Sequence, residues 1–306
     1  MNDIQRYFGD YISDRKGLVF YDEPLKSHCT FKIGGPAEIL YVPQDEKSLI
    51  AAIKFCNIYG VKLRILGNGS NVLISDNGLK GVTIKLMGGL TDLFYLGNGM
   101  ISCGAGVSLK RLCSFALENG LTGLEFAYGI PGSVGGAVYM NGGAYGGEIK
   151  SVLTSVRSVS LKDGTVKETP VGELDMSYRH TAFMTNGEVI TAAYFTLEKG
   201  EKEAIEAKMS ELLGKRKASQ PLEYPSAGST FKRPPEGYAA AHIEQCGLKG
   251  HTHGGAMVST KHSGFVINTG SATFSDVIAI MEEIKQTVFE QHGVMLEPEV
   301  EILGDD

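Results

Sequence analysis

The chain has 306 residues, of which 42% are hydrophobic and 21% charged, a composition typical of a globular protein of two or three domains. Its formal net charge of −6 and the lack of long lysine and arginine runs argue against nucleic acid as a partner. Glycine is frequent, with 40 residues, which indicates tight turns or a close approach of the backbone to a ligand.

The five cysteines are odd in number and include no Cys-x-x-Cys pair, which favours reduced thiols over a disulfide framework or a zinc site. The N-terminal segment is charged and lacks the apolar stretch of a signal peptide. The longest uncharged stretch, residues 126–147, contains too many glycines for a membrane helix. We therefore expect a cytoplasmic protein without membrane contact.

In chain order, residues 36–88 have the pattern of a small α/β unit. A strand at 37–42 precedes a helix that Asp45 caps and Gly60 ends, and a second strand covers 62–66. The glycine loop and the strand that follow complete this unit.

Residues 89–198 have the pattern of a β-rich region. It contains one helix, which Ser108 caps and Gly120 ends, and then a glycine-rich stretch at 129–147. The pair Asp163-Gly164 predicts a hairpin between two strands.

The C-terminal part begins with a charged helix at 200–217 and has a last helix from Ser275 to Gly293. A final strand is predicted at 294–303. Its apolar residues share one face by the period of two, which places Glu299 and Glu301 on the other face. These apolar residues are Val294, Leu296, Val300 and Ile302.

Two glycine-rich segments, 67–71 and 129–137, are able to place main-chain N–H groups against a phosphate or a planar ring. A Rossmann fingerprint would require a third glycine at position 72 and a helix next, whereas Val72 begins a predicted strand at 72–75. A Walker A sequence is also missing. From the residues alone, the first segment is equally a turn between strands and the second a crowded sheet edge.

A metal site is not predicted. His251 and His253, with His242 and Cys246 nearby, lack an acidic or third ligand at a suitable spacing. They are more typical of surface or loop histidines.

Three polar residues lie in distinctive contexts. Ser229 is in a turn-rich loop, Arg179 lies between strand-like segments, and Glu299 is in the last strand. Spacing does not show that they meet, and each one alone has the pattern of a turn hydroxyl, a surface ion pair or a solvated strand charge.

Taken together, the ordered motifs resemble the UDP-N-acetylenolpyruvoylglucosamine reductase family, in its shorter class that lacks an inserted tyrosine-bearing loop. The resemblance is collinear from about residue 25 to 304. The matching segments are residues 30–37, 66–71, 129–147, 178–179, 225–232, 245–250 and 296–300.

The resemblance implies an α+β chain. A two-lobed FAD-binding domain of the PCMH or vanillyl-alcohol-oxidase type, at 1–88 and 89–198, precedes a C-terminal α+β substrate-binding domain at 199–306, whose last strand returns to the flavin site. FAD is then held non-covalently by the glycine-rich segments. The implied FAD contacts are Ile33, Gly34, Gly35, Leu66, Gly67, Asn68, Gly69, Ser70, Asn71, Gly129, Ile130, Pro131, Gly132, Ser133, Gly135, Gly136 and Ala137.

The resemblance also implies the reaction. NADPH reduces FAD, flavin N5 delivers a hydride to C3 of the enolpyruvyl group of a UDP-sugar, and C2 is protonated to give UDP-N-acetylmuramate for peptidoglycan. Arg179 then binds the substrate carboxylate, Glu299 polarises and orients it, and Ser229 gives the proton to C2.

Lys232 and Gln245 match substrate-side positions, near the diphosphate. Two departures concern the same contacts, because the family often has basic residues where this chain has Ser219 and Glu301. A basic residue among positions 215–217 is a possible substitute for the first of them.

Two other functions fit parts of the pattern. The first is an alcohol or lactone oxidase of the same flavin fold, which would pass electrons to oxygen. The second is a non-catalytic protein that binds UDP-sugars. No obligate protein partner is indicated by the sequence.

Overall fold

The computed structural model describes residues 1–305; Asp306, the last residue of the predicted C-terminal domain, lies outside them. The described residues form two compact units, each built from three segments of the chain. The first unit comprises Met1–Asp22, Glu38–Asn68 and Lys80–Lys215, and the second comprises Glu23–Ala37, Gly69–Leu79 and the chain from Arg216 onward. The predicted domain boundaries at residues 88 and 198 stay a prediction.

Within residues 1–305, α-helices are interspersed among a larger number of strands. The α-helices are α1 (Asp3–Tyr11), α2 (Glu46–Tyr59), α3 (Leu109–Glu118), α4 (Val134–Tyr139), α5 (Lys202–Ser219), α6 (Ala239–Gln245) and α7 (Phe274–His292). The strands of the N-terminal half are β1 (Gly17–Pro24), β2 (Pro36–Pro43), β3 (Leu63–Leu66), β4 (Val72–Ile74), β5 (Leu79–Lys85), β6 (Leu93–Gly97), β7 (Met100–Gly104), β8 (Leu121–Thr122), β9 (Gly143–Ala144) and β10 (Gly147–Glu148). The later strands are β11 (Leu153–Ser160), β12 (Val166–Pro170), β13 (Glu188–Thr196), β14 (Glu198–Lys199), β15 (Thr252–His253), β16 (Ala256–Val258), β17 (Val266–Asn268) and β18 (Glu301–Leu303).

Two sheets organise the first unit. An antiparallel sheet has the strand order β12-β11-β13-β7-β6, and a second sheet has the order β1-β2-β5-β3, in which β3 and β5 are parallel. One apolar core is continuous through this unit and includes an aromatic group at its N-terminal end, where Phe8 packs edge-on against Tyr41 and Phe55. Burial of the apolar side chains of this core is the main favourable contribution to the folding free energy of the unit.

The helix ends of the first unit follow from capping residues that the sequence already indicates. Asp45 accepts a hydrogen bond from Ser48 N at 2.8 Å and begins α2, which ends where Gly60 takes a left-handed conformation. Ser108 caps α3 in the same way. Both helices are therefore confirmed, as is the hairpin of β11 and β12.

The second unit contains an antiparallel sheet in the order β15-β16-β17, with α7 against it, and a parallel pair of β4 and β18. The last helix is confirmed, but it begins at Phe274, with Thr273 as its cap, and not at Ser275. Asp276 completes a capping box with Thr273, and Gly293 ends the helix in a left-handed conformation.

The predicted strand at 294–303 is wrong in extent, because only Glu301–Leu303 pairs as a strand. Pro298 has no N–H to donate, and residues before it make single contacts instead of a continuous ladder. The predicted apolar face holds for Val294, Leu296 and Val300, which are buried, but is wrong for Ile302, which is 47% exposed.

Three α-helices of the described residues, α1, α4 and α6, were not predicted from the sequence. Residues 134–139 form α4 inside the glycine-rich stretch, where glycine propensity argues against a helix. Ser133 accepts a hydrogen bond from Gly136 N at 3.3 Å and so begins this helix.

Candidate active site

Arg179 lies in the first unit, at the tip of a tight turn. Ser177 and His180 exchange both main-chain hydrogen bonds, at 3.1 and 3.2 Å, which leaves Tyr178 and Arg179 as the two turn residues. Arg179 has a φ of 53°, a left-handed conformation that costs a residue with a Cβ roughly 1–2 kcal/mol. Its guanidinium carbon lies 5.0 Å from the centroid of the Tyr178 ring, within the range of a cation–π contact.

Two side chains that the sequence did not single out hold this turn. Asn141 is buried, and its Nδ2 donates to the carbonyl oxygen of Ser177 at 2.9 Å. Lys150 Nζ donates to the carbonyl oxygen of Met176 at 2.7 Å. The main chain before Arg179 is therefore fixed by polar side chains, and the only sequence signal for them is their place at the end of the glycine-rich stretch.

Two of the predicted FAD-binding segments lie against each other within the first unit. The side-chain amide of Asn68 donates to the carbonyl oxygen of Pro131. A Cβ atom at Gly67 would lie only 2.7 Å from Ser133 Oγ, so a larger residue there would displace the hydroxyl that caps α4. Glycine at position 67 therefore leaves room for this cap.

The other predicted FAD-binding segments belong to the second unit. Gly35 donates its N–H to the carbonyl oxygen of Ser75 at 2.9 Å, and Thr30 donates its N–H to that of Gly69 at 2.9 Å. A Cβ atom at Gly69 would lie 2.4 Å from the carbonyl oxygen of His28. Gly69 is thus needed for packing of main chain on main chain, independently of any ligand.

Ser229 and Glu299 lie on neighbouring segments of the second unit. Thr230, which follows the serine, accepts a hydrogen bond from Glu299 N at 2.8 Å, and Lys232 N donates to the carbonyl oxygen of Glu297 at 2.9 Å. An antiparallel bridge between Phe231 and Pro298 lies between these two bonds. Residues far apart in sequence are thereby paired through their main chains.

The glycine loop borders the same glutamate from the other side. Asn71 Nδ2 donates to the carbonyl oxygen of Glu299 at 2.9 Å, and Glu301 N donates to the carbonyl oxygen of Asn71 at 2.9 Å. The serine loop is also tied to this region, because Thr30 Oγ1 donates to the carbonyl oxygen of Ser226 at 2.6 Å. Residues 69–71, the loop from Ser226 to Thr230 and the Glu299 segment therefore form one hydrogen-bonded group within the second unit.

Of the two predicted substrate residues, Lys232 lies beside the Glu299 segment. Lys232 Nζ is 3.5 Å from Glu297 Oε2, and both side chains are partly or largely exposed. Gln245 is exposed at the end of α6. The roles of both residues, and of the departures Ser219 and Glu301, stay predictions.

The histidines considered for a metal have other partners. His251 Nε2 and His253 Nδ1 lie 2.6 and 2.7 Å from the two oxygens of Glu283, and these bonds lower the pKa of that carboxyl. No group of three or more possible ligands with metal-binding geometry occurs among the described residues. Within residues 1–305, every helix is either too short or too polar to span a lipid bilayer.

Comparisons with known proteins agree with this arrangement. Residues 220–303 match the C-terminal domain of UDP-N-acetylenolpyruvoylglucosamine reductase, and residues 37–170 match an FAD binding domain. The chain is 45% identical over 291 residues to the UDP-N-acetylenolpyruvoylglucosamine reductase of Caldanaerobacter subterraneus, covering 95% of each chain. It is 43% identical over 309 residues to that of Clostridium perfringens, covering the full length of both.

A solved structure agrees as well. The crystal structure of UDP-N-acetylenolpyruvylglucosamine reductase from Thermus caldophilus matches with a TM-score of 0.79 and 34% identity, over 95% of this chain and 100% of that one. The predicted fold class, an α+β chain with a PCMH-type FAD-binding domain followed by a C-terminal α+β domain, is confirmed. The chain belongs to the UDP-N-acetylenolpyruvoylglucosamine reductase family.

Proposed function

We propose that Ser229, Glu299 and Arg179 carry out the substrate half of the reaction of this FAD-dependent reductase. The enzyme uses NADPH to reduce UDP-N-acetyl-3-O-(1-carboxyvinyl)glucosamine to UDP-N-acetylmuramate, a step of peptidoglycan precursor synthesis. The observation that carries the proposal is the 2.8 Å hydrogen bond from Glu299 N to the carbonyl oxygen of Thr230. This bond joins the segment of the proposed carboxyl group to the loop of the proposed proton donor.

The glycine-rich segments suit a flavin nucleotide. The loop at 66–68 lies against residues 131–133, and a side chain at Gly67 would fill the space at Ser133 Oγ. We propose that these segments, with residues 33–35 and 69–71, hold FAD. When bound, FAD takes a hydride from NADPH and delivers it to C3 of the enolpyruvyl group.

Ser229 is proposed to donate the proton to C2. It follows Gly228, which has a φ of 81° and turns the chain just before the serine. A serine hydroxyl is a weak acid, so it acts through its position next to a strongly basic carbanion. The serine is then returned to its neutral form by a proton from solvent.

Arg179 and Glu299 are proposed to bind and orient the substrate carboxylate, on which negative charge develops during the reaction. Hydride addition at C3 moves negative charge toward C2 and the carboxylate, and a guanidinium can bind that carboxylate through two parallel hydrogen bonds. The Glu299 carboxyl group would orient the substrate carboxylate from its paired segment. Removal of one such group that is in place before the charge develops typically lowers the rate about 10²–10³-fold.

The remaining expectations belong to the same proposal. Lys232 and Gln245 would contact the diphosphate of the UDP-sugar, and residues 1–88, 89–198 and 199–306 would act as two flavin lobes and a substrate domain. We also propose a cytoplasmic location and action without an obligate protein partner.

Substitution of Ser229 by Ala tests the proton-donor role. We expect flavin content and flavin reduction by NADPH to stay close to those of the parent enzyme, while reoxidation by the enolpyruvyl nucleotide slows by at least about 10²-fold. Anaerobic stopped-flow absorbance of the flavin measures both halves separately.

The matched control is Ser226→Ala, which removes a hydroxyl from the same loop but keeps the main-chain oxygen that Thr30 binds. An equal loss in both halves for Ser229→Ala would rule out the proton-donor role. Fast reoxidation by oxygen with none by the enolpyruvyl nucleotide in the parent enzyme would instead indicate an oxidase.

A further inference from the structure

We propose that Asn71 is a positioning residue, whose side-chain amide holds Glu299 in the orientation needed for the substrate half-reaction. The inference rests on the function proposed above for Glu299. It adds a role to a residue that the family resemblance assigns only to the FAD-binding loop.

Two residues, Thr230 and Asn71, form hydrogen bonds with the main chain of Glu299. Its N–H is bound by the carbonyl oxygen of Thr230 at 2.8 Å, and its carbonyl oxygen accepts from Asn71 Nδ2 at 2.9 Å. The main-chain oxygen of Asn71 in turn accepts from Glu301 N at 2.9 Å. Asn71 therefore holds the chain on both sides of Val300 with its side chain and its main chain.

The side chain acts here as an extension of a short parallel ladder. β18 pairs with β4 from Glu301 and Val72 onward. In a regular parallel ladder continued by one step, the main-chain N–H of position 71 would donate to the carbonyl oxygen of position 299. The structure makes this bond with Nδ2 of Asn71, at the point where the glycine loop leads into β4.

Pro298, just before Glu299, has no N–H and cannot donate to either neighbour. The two main-chain hydrogen bonds of Glu299 therefore contribute to the orientation of this part of the main chain. Loss of the bond to the carbonyl oxygen would let the peptide group rotate and move the carboxyl group. A displacement of about 1 Å in a catalytic group is enough to cost about 10²-fold in rate.

The test uses the holoenzyme with Asn71→Ala, Asn71→Asp, Glu299→Gln and the double variant Asn71→Ala/Glu299→Gln. Because Asn71 also belongs to a segment proposed to hold FAD, every variant is assayed with FAD added to saturation. We expect reoxidation by the enolpyruvyl nucleotide to slow about 10²-fold more than reduction by NADPH in both Asn71 variants. Aspartate has the shape of asparagine, but its carboxylate cannot donate a hydrogen bond. Asn71→Asp should therefore slow reoxidation at least as much as Asn71→Ala. The double variant should be no slower than Glu299→Gln alone, because Asn71 acts through Glu299.

A second measurement separates positioning from general stability. A higher concentration of the enolpyruvyl nucleotide should not restore the reoxidation rate of Asn71→Ala, because a misplaced carboxyl group slows the step that follows binding. The reoxidation rate should not change in the control Asn77→Ala, which removes an exposed amide beyond the other end of β4.

Four outcomes overturn the inference. They are an equal slowing of the two half-reactions at saturating FAD, unfolding of both Asn71 variants, reoxidation at the parent rate, or effects of the two single substitutions that multiply in the double variant. If Glu299→Gln itself reoxidises normally, the proposed role of Glu299 fails as well. If Glu299→Gln is slow and Asn71→Ala is normal, only the positioning role fails.

Discussion

Arg179 and Glu299 are assigned to the same half-reaction, yet the chain holds them in different ways. The turn of Arg179 depends on polar side chains, those of Asn141 and Lys150, which bind the main chain just before it. The main chain of Glu299 donates to the carbonyl oxygen of Thr230 and accepts from the side chain of Asn71, both of which lie far away in the sequence. One functional group is thus placed by local side chains and the other by pairing of distant segments.

This difference has a consequence for substitutions. Where main-chain groups make the bonds, most side chains can change without loss of position. Where buried side chains make the bonds, a single truncation leaves main-chain groups without partners, which is costly. We therefore expect the region around Arg179 to be sensitive at more positions than the region around Glu299.

The largest effect is expected at Arg179 itself. Arg179→Ala should slow flavin reoxidation by the enolpyruvyl nucleotide by about 10²–10³-fold, because it removes a charge that is in place before the substrate carboxylate gains electron density. Stopped-flow absorbance checks this. Arg6→Ala is the control, since Arg6 also lies over a tyrosine ring, at 5.2 Å from the Tyr7 centroid, but on α1. An equal loss in the reduction by NADPH would show that Arg179 does not act on the substrate.

A smaller effect is expected at Asn141, whose side chain binds the turn that carries Arg179. The residue is 1% exposed, donates to Ser177 O and Glu148 Oε2, and accepts from Lys150 N. Asn141→Ala should lower the free energy of unfolding by about 1–3 kcal/mol, because it leaves buried main-chain groups without partners. Urea denaturation measures this.

The same variant also tests the comparison between the two regions. Asn141→Ala should slow flavin reoxidation by the enolpyruvyl nucleotide and leave reduction by NADPH close to normal, because the turn of Arg179 loses a support. A stability loss without any change in reoxidation would mean that the turn is held without Asn141. Asn77→Ala, at an exposed asparagine, should change neither quantity.

The sequence predicted well those features that short patterns determine. The caps at Asp45 and Ser108 and the stop at Gly293 were readable because each depends on one residue and its immediate neighbours. The ordered motifs also gave the family and the cofactor. Local chemistry and a recognisable order of motifs were sufficient for both.

The sequence did not predict features that depend on contacts between distant residues. Asn71 and Glu299 are joined by a hydrogen bond across most of the chain, and no periodicity encodes it. Helix α4 was missed because its glycines disfavour a helix in isolation, whereas Ser133 and the packing around it favour one. The last strand was overestimated because the alternation of apolar residues begins at Val294, whereas continuous pairing begins only at Glu301, after Pro298.

The smallest effect is expected at Glu283, which belongs to the second unit but to neither proposed functional segment. His251 and His253 donate to its carboxylate and lower its pKa from the usual 4.5, so the folded state favours the ionised form more than the unfolded state does. This contribution to stability is complete above about pH 4.5 and is lost as the pH falls through the lower pKa of the folded protein. It should be modest, because these side chains are roughly 40% exposed and solvent screens the interaction.

Glu283→Gln should therefore reduce the drop in the thermal midpoint between pH 7 and pH 3.5 that the parent protein undergoes, and thermal denaturation followed by circular dichroism measures it. Glu282→Gln is the control, because it removes a neighbouring surface carboxylate that pairs with Lys285 at 2.8 Å. An equal drop for Glu283→Gln and the parent would contradict the assignment. Reoxidation at pH 7 should be unchanged in Glu283→Gln, because main-chain pairing at Glu299 does not depend on this cluster, and a slower rate would mean that the two parts of the second unit are coupled.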